Sequence, residues 1–290
     1  MEFMPCSKID THLHLAYENP NRENRTISTY KEMLPYFQKL NITKGILVSV
    51  GELLPNLPKN EECIAIYRDD PEHYAWMCNP EPINPETVYD QLRLYKQQGA
   101  VGVGELTCNL PLNDPALHAL FEAAGKLKLP ITLHMSPAVG CSYGVVDEPG
   151  LVLLEECLQK FPDTVFVGHS ACFWCEISGN APTDPKGRNG YPSGAVTPGG
   201  RISELLEKYP NLYCDLSATS GGQAILRDEA HGLAFLEQFS NRMMFATDMT
   251  QVGTEYPLWS WLDQKAALGQ LSMDAYRSIC FENAKRLYQL

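Results

Sequence analysis

Short apolar, β-branched runs recur along the chain and alternate with longer stretches whose apolar residues fall at helical spacing. The strand-like runs lie near 8–13, 44–50, 74–78, 100–105, 130–135, 164–169, 211–216 and 242–247. Amphipathic stretches such as 85–98, 114–128, 150–160 and 201–208 separate them. Local punctuation supports the boundaries. Asn113-Asp114-Pro115 reads as a helix start, with a capping residue followed by a first-turn proline. Lys208-Tyr209-Pro210-Asn211 ends a helix and turns into a strand. Apolar strands alternating with helices are the mark of a parallel sheet covered on its outer face. Eight such units predict an α/β fold, a (β/α)8 TIM barrel, as a single domain over residues 1–290. The competing arrangement, an open doubly wound sheet, often carries a glycine-rich dinucleotide turn, and none follows the first strand.

The barrel prediction gives meaning to the residues at the strand ends. His12-Leu13-His14 places two imidazoles on one face of the first strand, because side chains alternate along a strand. Later strand-like runs end in Glu105, His134, His169 and Asp248, each a residue type that binds metals. In a closed barrel the carboxyl ends of the strands ring one mouth, where barrel enzymes place their chemistry. The expected metal site therefore draws on His12, His14, Glu105, His134, His169 and Asp248, with Asp248 as general base and His169 as a further catalytic residue. Glu105 has several readings: a bridge between two ions, a ligand of one, a partner of a ligand histidine, or a rim ion pair. Asp215 either orients a ligand or forms an interior salt bridge. The remaining histidines, His73, His118 and His231, fall in helical or loop stretches and read as surface or packing residues.

Composition narrows the function classes. A net charge of −12 gives no phosphate-tracking surface, so a nucleic-acid partner is not expected. No run of eighteen apolar residues suggests a membrane span. Met1-Glu2-Phe3-Met4-Pro5 has neither a basic nor an apolar leader region, and a cytoplasmic location is the resulting expectation. The ten cysteines are mostly scattered singly, as buried small hydrophobes are in a reducing compartment. Cys172-Phe173-Trp174-Cys175 is the exception, and its setting reads as loop packing rather than redox chemistry. The stretch 171–200, crowded with Gly, Pro, Asn and Ser, reads as a lid or specificity loop over the mouth. Tyr143, Trp174 and Tyr191 either line a pocket there or close the loop onto the barrel.

The phrase Ile9-Asp10-Thr11-His12-Leu13-His14 resembles the opening of the amidohydrolase superfamily, and more specifically its amidohydrolase family 2 branch. Val167-Gly168-His169-Ser170, the stretch 205–217, Phe245-Ala246-Thr247-Asp248 and the closing 282–287 are similar to the same branch in order. The resemblance implies a divalent metal, zinc first and manganese as the alternative, at one or two ions per chain. It implies a metal-activated water, His12, His14, His134 and His169 as site histidines, and Asp248 as the catalytic aspartate. Gly102-Val103-Gly104-Glu105-Leu106 departs from the carboxylated lysine of many two-metal members and looks more like the glutamate turn of TatD-like nucleases. The activity implied is hydrolysis of a small lactone, ester or amide. Alternatives are nonoxidative decarboxylation of an unsaturated or aromatic acid, a two-metal phosphoesterase, and a non-catalytic metal-bearing scaffold. A decarboxylase often grips its substrate through an arginine, for which Arg188, Arg201, Arg68 and Arg22 are available, although each reads more readily as solvated. A homodimer is compatible with this branch.

Overall fold

Eight parallel strands, taken in chain order, form the wall of a barrel. They are β1 (Lys8–Leu13), β2 (Ile42–Val48), β3 (Tyr74–Cys78), β4 (Ala100–Leu106), β5 (Ile131–Ser136), β6 (Phe166–His169), β7 (Leu212–Asp215) and β8 (Met243–Met244). Each pairs in parallel with the next, so sheet order follows sequence order. The ring closes through backbone bonds between the end of β1 and the segment that follows β8: Thr11 N–H to Phe245 O (3.1 Å), Asp248 N–H to His12 O (2.9 Å) and His14 N–H to Met249 O (3.1 Å). The computed structural model describes residues 3–18, 20–22 and 25–290; Met1 and Glu2, which open the stretch read as leaderless, lie outside them.

The local signals in the sequence explain where helices begin. Asp114 accepts from Ala116 N–H at 2.8 Å, with Pro115 in the first turn, and the helix runs Pro115–Leu127. Along it Leu117, Leu120, Phe121 and Ala124 recur at the spacing of one face, and all are buried against the sheet. Each large side chain buried this way contributes about 1.5–3 kcal/mol. Thr29 and Glu32 form a reciprocal capping box at the start of Tyr30–Leu40. Arg201–Lys208 coincides with its expected span, whereas the stretch expected from 85 becomes helical only at Val88.

Two expectations need correction. The last strand is two residues long rather than 242–247. Beyond Met244 the chain leaves the ladder, because Phe245 N–H bonds to Ile279 O (2.8 Å) and Thr247 N–H to the Asp10 carboxylate (3.0 Å). The segment 171–200 is also more ordered than a Gly/Pro-rich loop suggests. It contains helical turns at Ala171–Trp174, Cys175–Ile177 and Pro185–Arg188, with Cys172, Phe173, Trp174 and Arg188 buried. Cys175 Sγ donates to Cys172 O across one of these turns, and burial pushes the Cys172 thiol up to about 12. The pair packs within the fold, and all ten cysteines are free of disulfides. Among the described residues no helix is long and apolar enough to cross a membrane.

Candidate metal centre at the barrel mouth

His12 and His14 leave β1 on the same face, and their Nε2 atoms come within 3.2 Å of each other. Their other nitrogens are committed. His12 Nδ1 lies 2.7 Å from Asp215 Oδ2 at the end of β7, and His14 Nδ1 lies 3.0 Å from Val48 O at the end of β2. A backbone carbonyl and an ionised carboxylate can only accept, so both Nδ1 atoms carry protons and both Nε2 atoms face inward.

Glu105, buried at the end of β4, faces these histidines with one oxygen and two others with its second. Oε2 is 3.7 Å from His12 Nε2 and 3.5 Å from His14 Nε2. Oε1 is 2.5 Å from His134 Nδ1 and 3.5 Å from His169 Nε2. Asp248 completes the inner group, with Oδ1 at 3.7 Å and 3.4 Å from the two β1 imidazoles. Its side chain remains 27% exposed, so it is the carboxylate that opens toward solvent. Four donor atoms bound tetrahedrally at about 2.1 Å from one ion would be about 3.4 Å apart. The two imidazoles lie 3.2 Å apart and each is 3.4–3.7 Å from the Glu105 and the Asp248 oxygen, so His12 and His14 with either carboxylate fit a divalent cation. Glu105 also belongs to a second compact triad with His134 and His169.

Charge supports the same conclusion. Burial disfavours the charged form of His12, but Asp215 and Asp248 outweigh it and hold the imidazole well above its usual value. His14 is raised against its own burial by Asp248 and Glu105. Glu105 is held well below the carboxylate range despite burial, chiefly by His134 and His12, and Asp248 is lowered by His12 and His14 against burial. For His134 burial prevails over Glu105, and its pKa is lowered. Three carboxylates in this enclosed space require compensating positive charge, which protons or a bound cation can provide.

The supporting residues were harder to read in the sequence. Asp215 touches both His12 and His169, at 3.7 Å from the latter's Nδ1, so it braces two histidines of the cluster rather than forming an isolated salt bridge. Ser217 Oγ lies 3.0 Å from the same His169 nitrogen. Asn79 donates to Glu105 O at 2.8 Å and fixes the backbone at that carboxylate. Gly104, at φ +137°, lies so close to β5 that a Cβ would meet Thr132 O at 2.9 Å. Asp10 accepts from Thr247 Oγ1 (2.5 Å), Thr247 N (3.0 Å) and His12 N (3.1 Å), binding β1 to the final strand end. Burial pushes the Asp10 carboxyl up to about 7. Asp10 and Thr247 do carry a signal, since each is a polar residue inside an apolar run beside a site residue. Ser217 and Asn79 carry none.

Other residues fall elsewhere. Arg188 is buried rather than solvated, donating to Pro137 O (3.3 Å), Asp147 O (2.7 Å) and Glu148 O (3.0 Å), and so ties the 171–200 segment to the loop after β5. Arg201 pairs with Glu155 and Glu204, Arg22 with Glu62 at 2.6 Å, and Arg68 lies at the surface end of the helix Asn60–Asp69. Trp174 is a buried wall, donating to Asp215 O at 3.0 Å. Tyr143 packs on the His134 ring at 4.3 Å between centroids, whereas Tyr191 is exposed. His73 pairs with Asp70 at 2.9 Å, His118 with Lys160 at 3.0 Å, and His231 stacks on Phe235, all apart from the cluster.

Comparison with known proteins agrees with this architecture. Solved structures similar to the chain include an uncharacterised TIM-barrel protein from Bordetella bronchiseptica, at 16% identity and TM-score 0.69, covering 98% of this chain and 99% of that one. A dihydroxybenzoic acid decarboxylase from Polaromonas, with bound manganese and the inhibitor 2-nitroresorcinol, aligns at 17% identity and TM-score 0.62 over 99% and 98%. A probable 2-pyrone-4,6-dicarboxylic acid hydrolase from Acinetobacter baumannii, with citric acid bound, aligns at 15% identity and TM-score 0.61 over 98% and 100%. No curated protein matches the sequence. At these identities the structures share the fold alone, and the family rests on the sequence profile. That profile, described as amidohydrolase, matches residues 9–290, from β1 to the carboxyl terminus, and the chain belongs to the amidohydrolase family.

Proposed function

We propose that the protein is a metal-dependent hydrolase of a small carbonyl compound, a lactone, ester or amide, with Asp248 as its proton acceptor. The observation that carries this reading is the placement of Asp248. It is a partly exposed carboxylate directed at both His12 Nε2 and His14 Nε2 inside an otherwise buried histidine–glutamate frame. His12, His14, Glu105 and Asp248 would hold the cation, zinc or manganese, with His134 and His169 on the second oxygen of Glu105. When bound, such a cation supplies Lewis acidity for a carbonyl oxygen and lowers the pKa of water. Asp248 Oδ1 takes the proton of the attacking water and delivers it to the leaving group. His169, held at Nδ1 by Ser217 and Asp215, orients the substrate through Nε2. The 171–200 segment, anchored by Arg188, serves as the specificity loop.

Decarboxylation is the second reading, supported by the similarity in fold to a dihydroxybenzoic acid decarboxylase. It requires a grip on a substrate carboxylate. Arg188, Arg201 and Arg22 are committed to carbonyls or carboxylates elsewhere, which favours hydrolysis. Elemental analysis of protein purified without chelator, followed by parallel assays on lactones, esters, amides and aromatic acids, tests both. Cleavage of a carbonyl substrate is expected, and carbon dioxide release without such cleavage would replace hydrolysis by decarboxylation. Asp248→Asn should retain the cation and lose about 10²–10⁴-fold in kcat, the usual range for a general base. Unchanged turnover would remove Asp248 from the reaction.

A further inference from the structure

The loop that follows β3 turns toward the end of the neighbouring β4, where Glu105 lies. Three hydrogen bonds from this loop hold the backbone of residues 105–108. Glu81 Oε1 accepts from Thr107 N–H and from Cys108 N–H, both at 2.9 Å, and Asn79 Nδ2 donates to Glu105 O at 2.8 Å. β4 ends at Leu106, so the two amides lie past the ladder, and one carboxylate oxygen gives both a charge-assisted acceptor. The two loop residues are themselves joined, since Glu81 N–H donates to Asn79 Oδ1 at 2.9 Å. Asn79 is anchored in turn to Asn60 by a reciprocal pair, Asn79 N–H to Asn60 Oδ1 (2.8 Å) and Asn60 Nδ2 to Asn79 O (2.7 Å). The loop after β2 packs on the same group. Gly51 N–H donates to Thr107 Oγ1 at 2.9 Å, Lys59 Nζ donates to the Gly51 carbonyl, and a Cβ on Gly51 would overlap the Glu81 carboxylate.

We propose that Glu81 is a positioning residue of the metal centre: through Thr107, Cys108 and Asn79 it fixes the backbone that aims the Glu105 carboxylate at its two histidine pairs. The assignment rests on the cation site of the reading above and adds to it a residue outside the donor set. Glu105 needs such support because both of its oxygens are engaged. Oε2 faces His12 and His14 at 3.7 and 3.5 Å, and Oε1 faces His134 and His169 at 2.5 and 3.5 Å. A shift toward one pair withdraws the carboxylate from the other, and such sites tolerate only about 0.5 Å of displacement. The sheet does not supply this precision by itself. The register between β4 and β5 shifts between Val103 and Leu106, so Glu105 sits in the irregular stretch of its strand. Side-chain hydrogen bonds to residues 105, 107 and 108 take the place of the regular ladder there. The role requires an acceptor at the Oε1 position, which glutamine keeps and alanine lacks.

The test reads cation binding by the full chain rather than turnover. Parent, Glu81→Gln, Glu81→Ala and Gly51→Ala are compared by zinc competition with a chromogenic chelator. The visible absorption of the cobalt(II)-loaded proteins reports the ligand geometry, and melting temperatures are taken on the chelated forms. Glu81→Ala should lose about 10–100-fold in zinc affinity, the usual effect of removing a supporting partner, and should alter the cobalt spectrum. Glu81→Gln should return both to the parent values. Gly51→Ala leaves Glu81 in the sequence but drives its carboxylate off the two amides, because Thr107 and Lys59 hold Gly51 in place. It should reproduce the effect of Glu81→Ala, and it decides the matter if Glu81→Ala fails to fold. A lower melting temperature with unchanged zinc affinity and cobalt spectrum would reduce Glu81 to a loop fastener and overturn the assignment alone. Glutamine behaving as alanine does would overturn it as well. A parent protein that takes up neither zinc nor cobalt would overturn the metal reading itself, and this assignment with it.

Discussion

Asp215 shows how one carboxylate sets two histidines at once. Its Oδ2 is 2.7 Å from His12 Nδ1, and its Oδ1 accepts from Ser217 N–H at 2.7 Å while lying 3.7 Å from His169 Nδ1. Burial opposes its charge, yet His12 and His169 hold the carboxyl far below its usual range. An anion behind a ligand imidazole fixes its tautomer and raises its basicity toward a metal. Asp215→Asn preserves shape and an acceptor for Ser217 but removes that anion. Cation affinity should fall about 10–100-fold, read by competition with a chromogenic chelator. An unchanged affinity would reduce Asp215 to barrel filling. The sequence left this role open beside an interior salt bridge. His12 and His14 announce themselves because their relationship is local, two positions apart on a strand. Asp215 acquires its role from a partner 203 residues away, and an aspartate at a strand end looks the same whether it orients a ligand or caps a turn.

Elements follow the same division between local and distant causes. The helix Pro115–Leu127 starts where Asp114 and Pro115 direct it, because a cap and its free N–H groups lie within three residues. Asp114→Ala should therefore cost about 1 kcal/mol and lower the urea midpoint without changing the slope of the transition. A midpoint equal to that of the parent would mean that solvent or the backbone replaces the cap. The end of β8 was overestimated for the opposite reason. Met243 to Thr247 is apolar enough for a strand, but the backbone after Met244 bonds to Ile279 and Asp10, neither of which is nearby in sequence. The anchoring of 171–200 was equally hidden. Arg188 is held there by backbone carbonyls of Pro137, Asp147 and Glu148, and a carbonyl acceptor leaves no trace in residue identity. The eight-unit alternation and the strand-end ligand types were legible because pattern alone determines them.

For the molecule as a whole, the closed barrel makes stability depend on what neutralises its mouth. In the chelated protein His12 and His14 are raised above their usual values. Their protonated forms stabilise the fold fully below about pH 6.5, and this contribution disappears as pH rises through the raised values. Glu105 and Asp248 are lowered, so their contribution is present above about pH 4.5 and is lost as pH falls toward their folded values. Chelated protein should accordingly be most stable between about pH 5 and 6.5 and weaken toward pH 8.5, as the site keeps its carboxylates and loses its protons. A divalent cation reverses the high-pH loss, because it binds the neutral imidazoles and replaces the charge that the protons supplied. Melting temperatures of chelated and zinc- or manganese-loaded protein, compared at pH 5.5, 7.0 and 8.5, should separate by an amount that grows with pH. The net charge of −12 affects both forms, so their difference isolates the mouth of the barrel. A gap independent of pH would show that the cation binds away from His12 and His14; a widening gap assigns part of the barrel's stability to the cation held there.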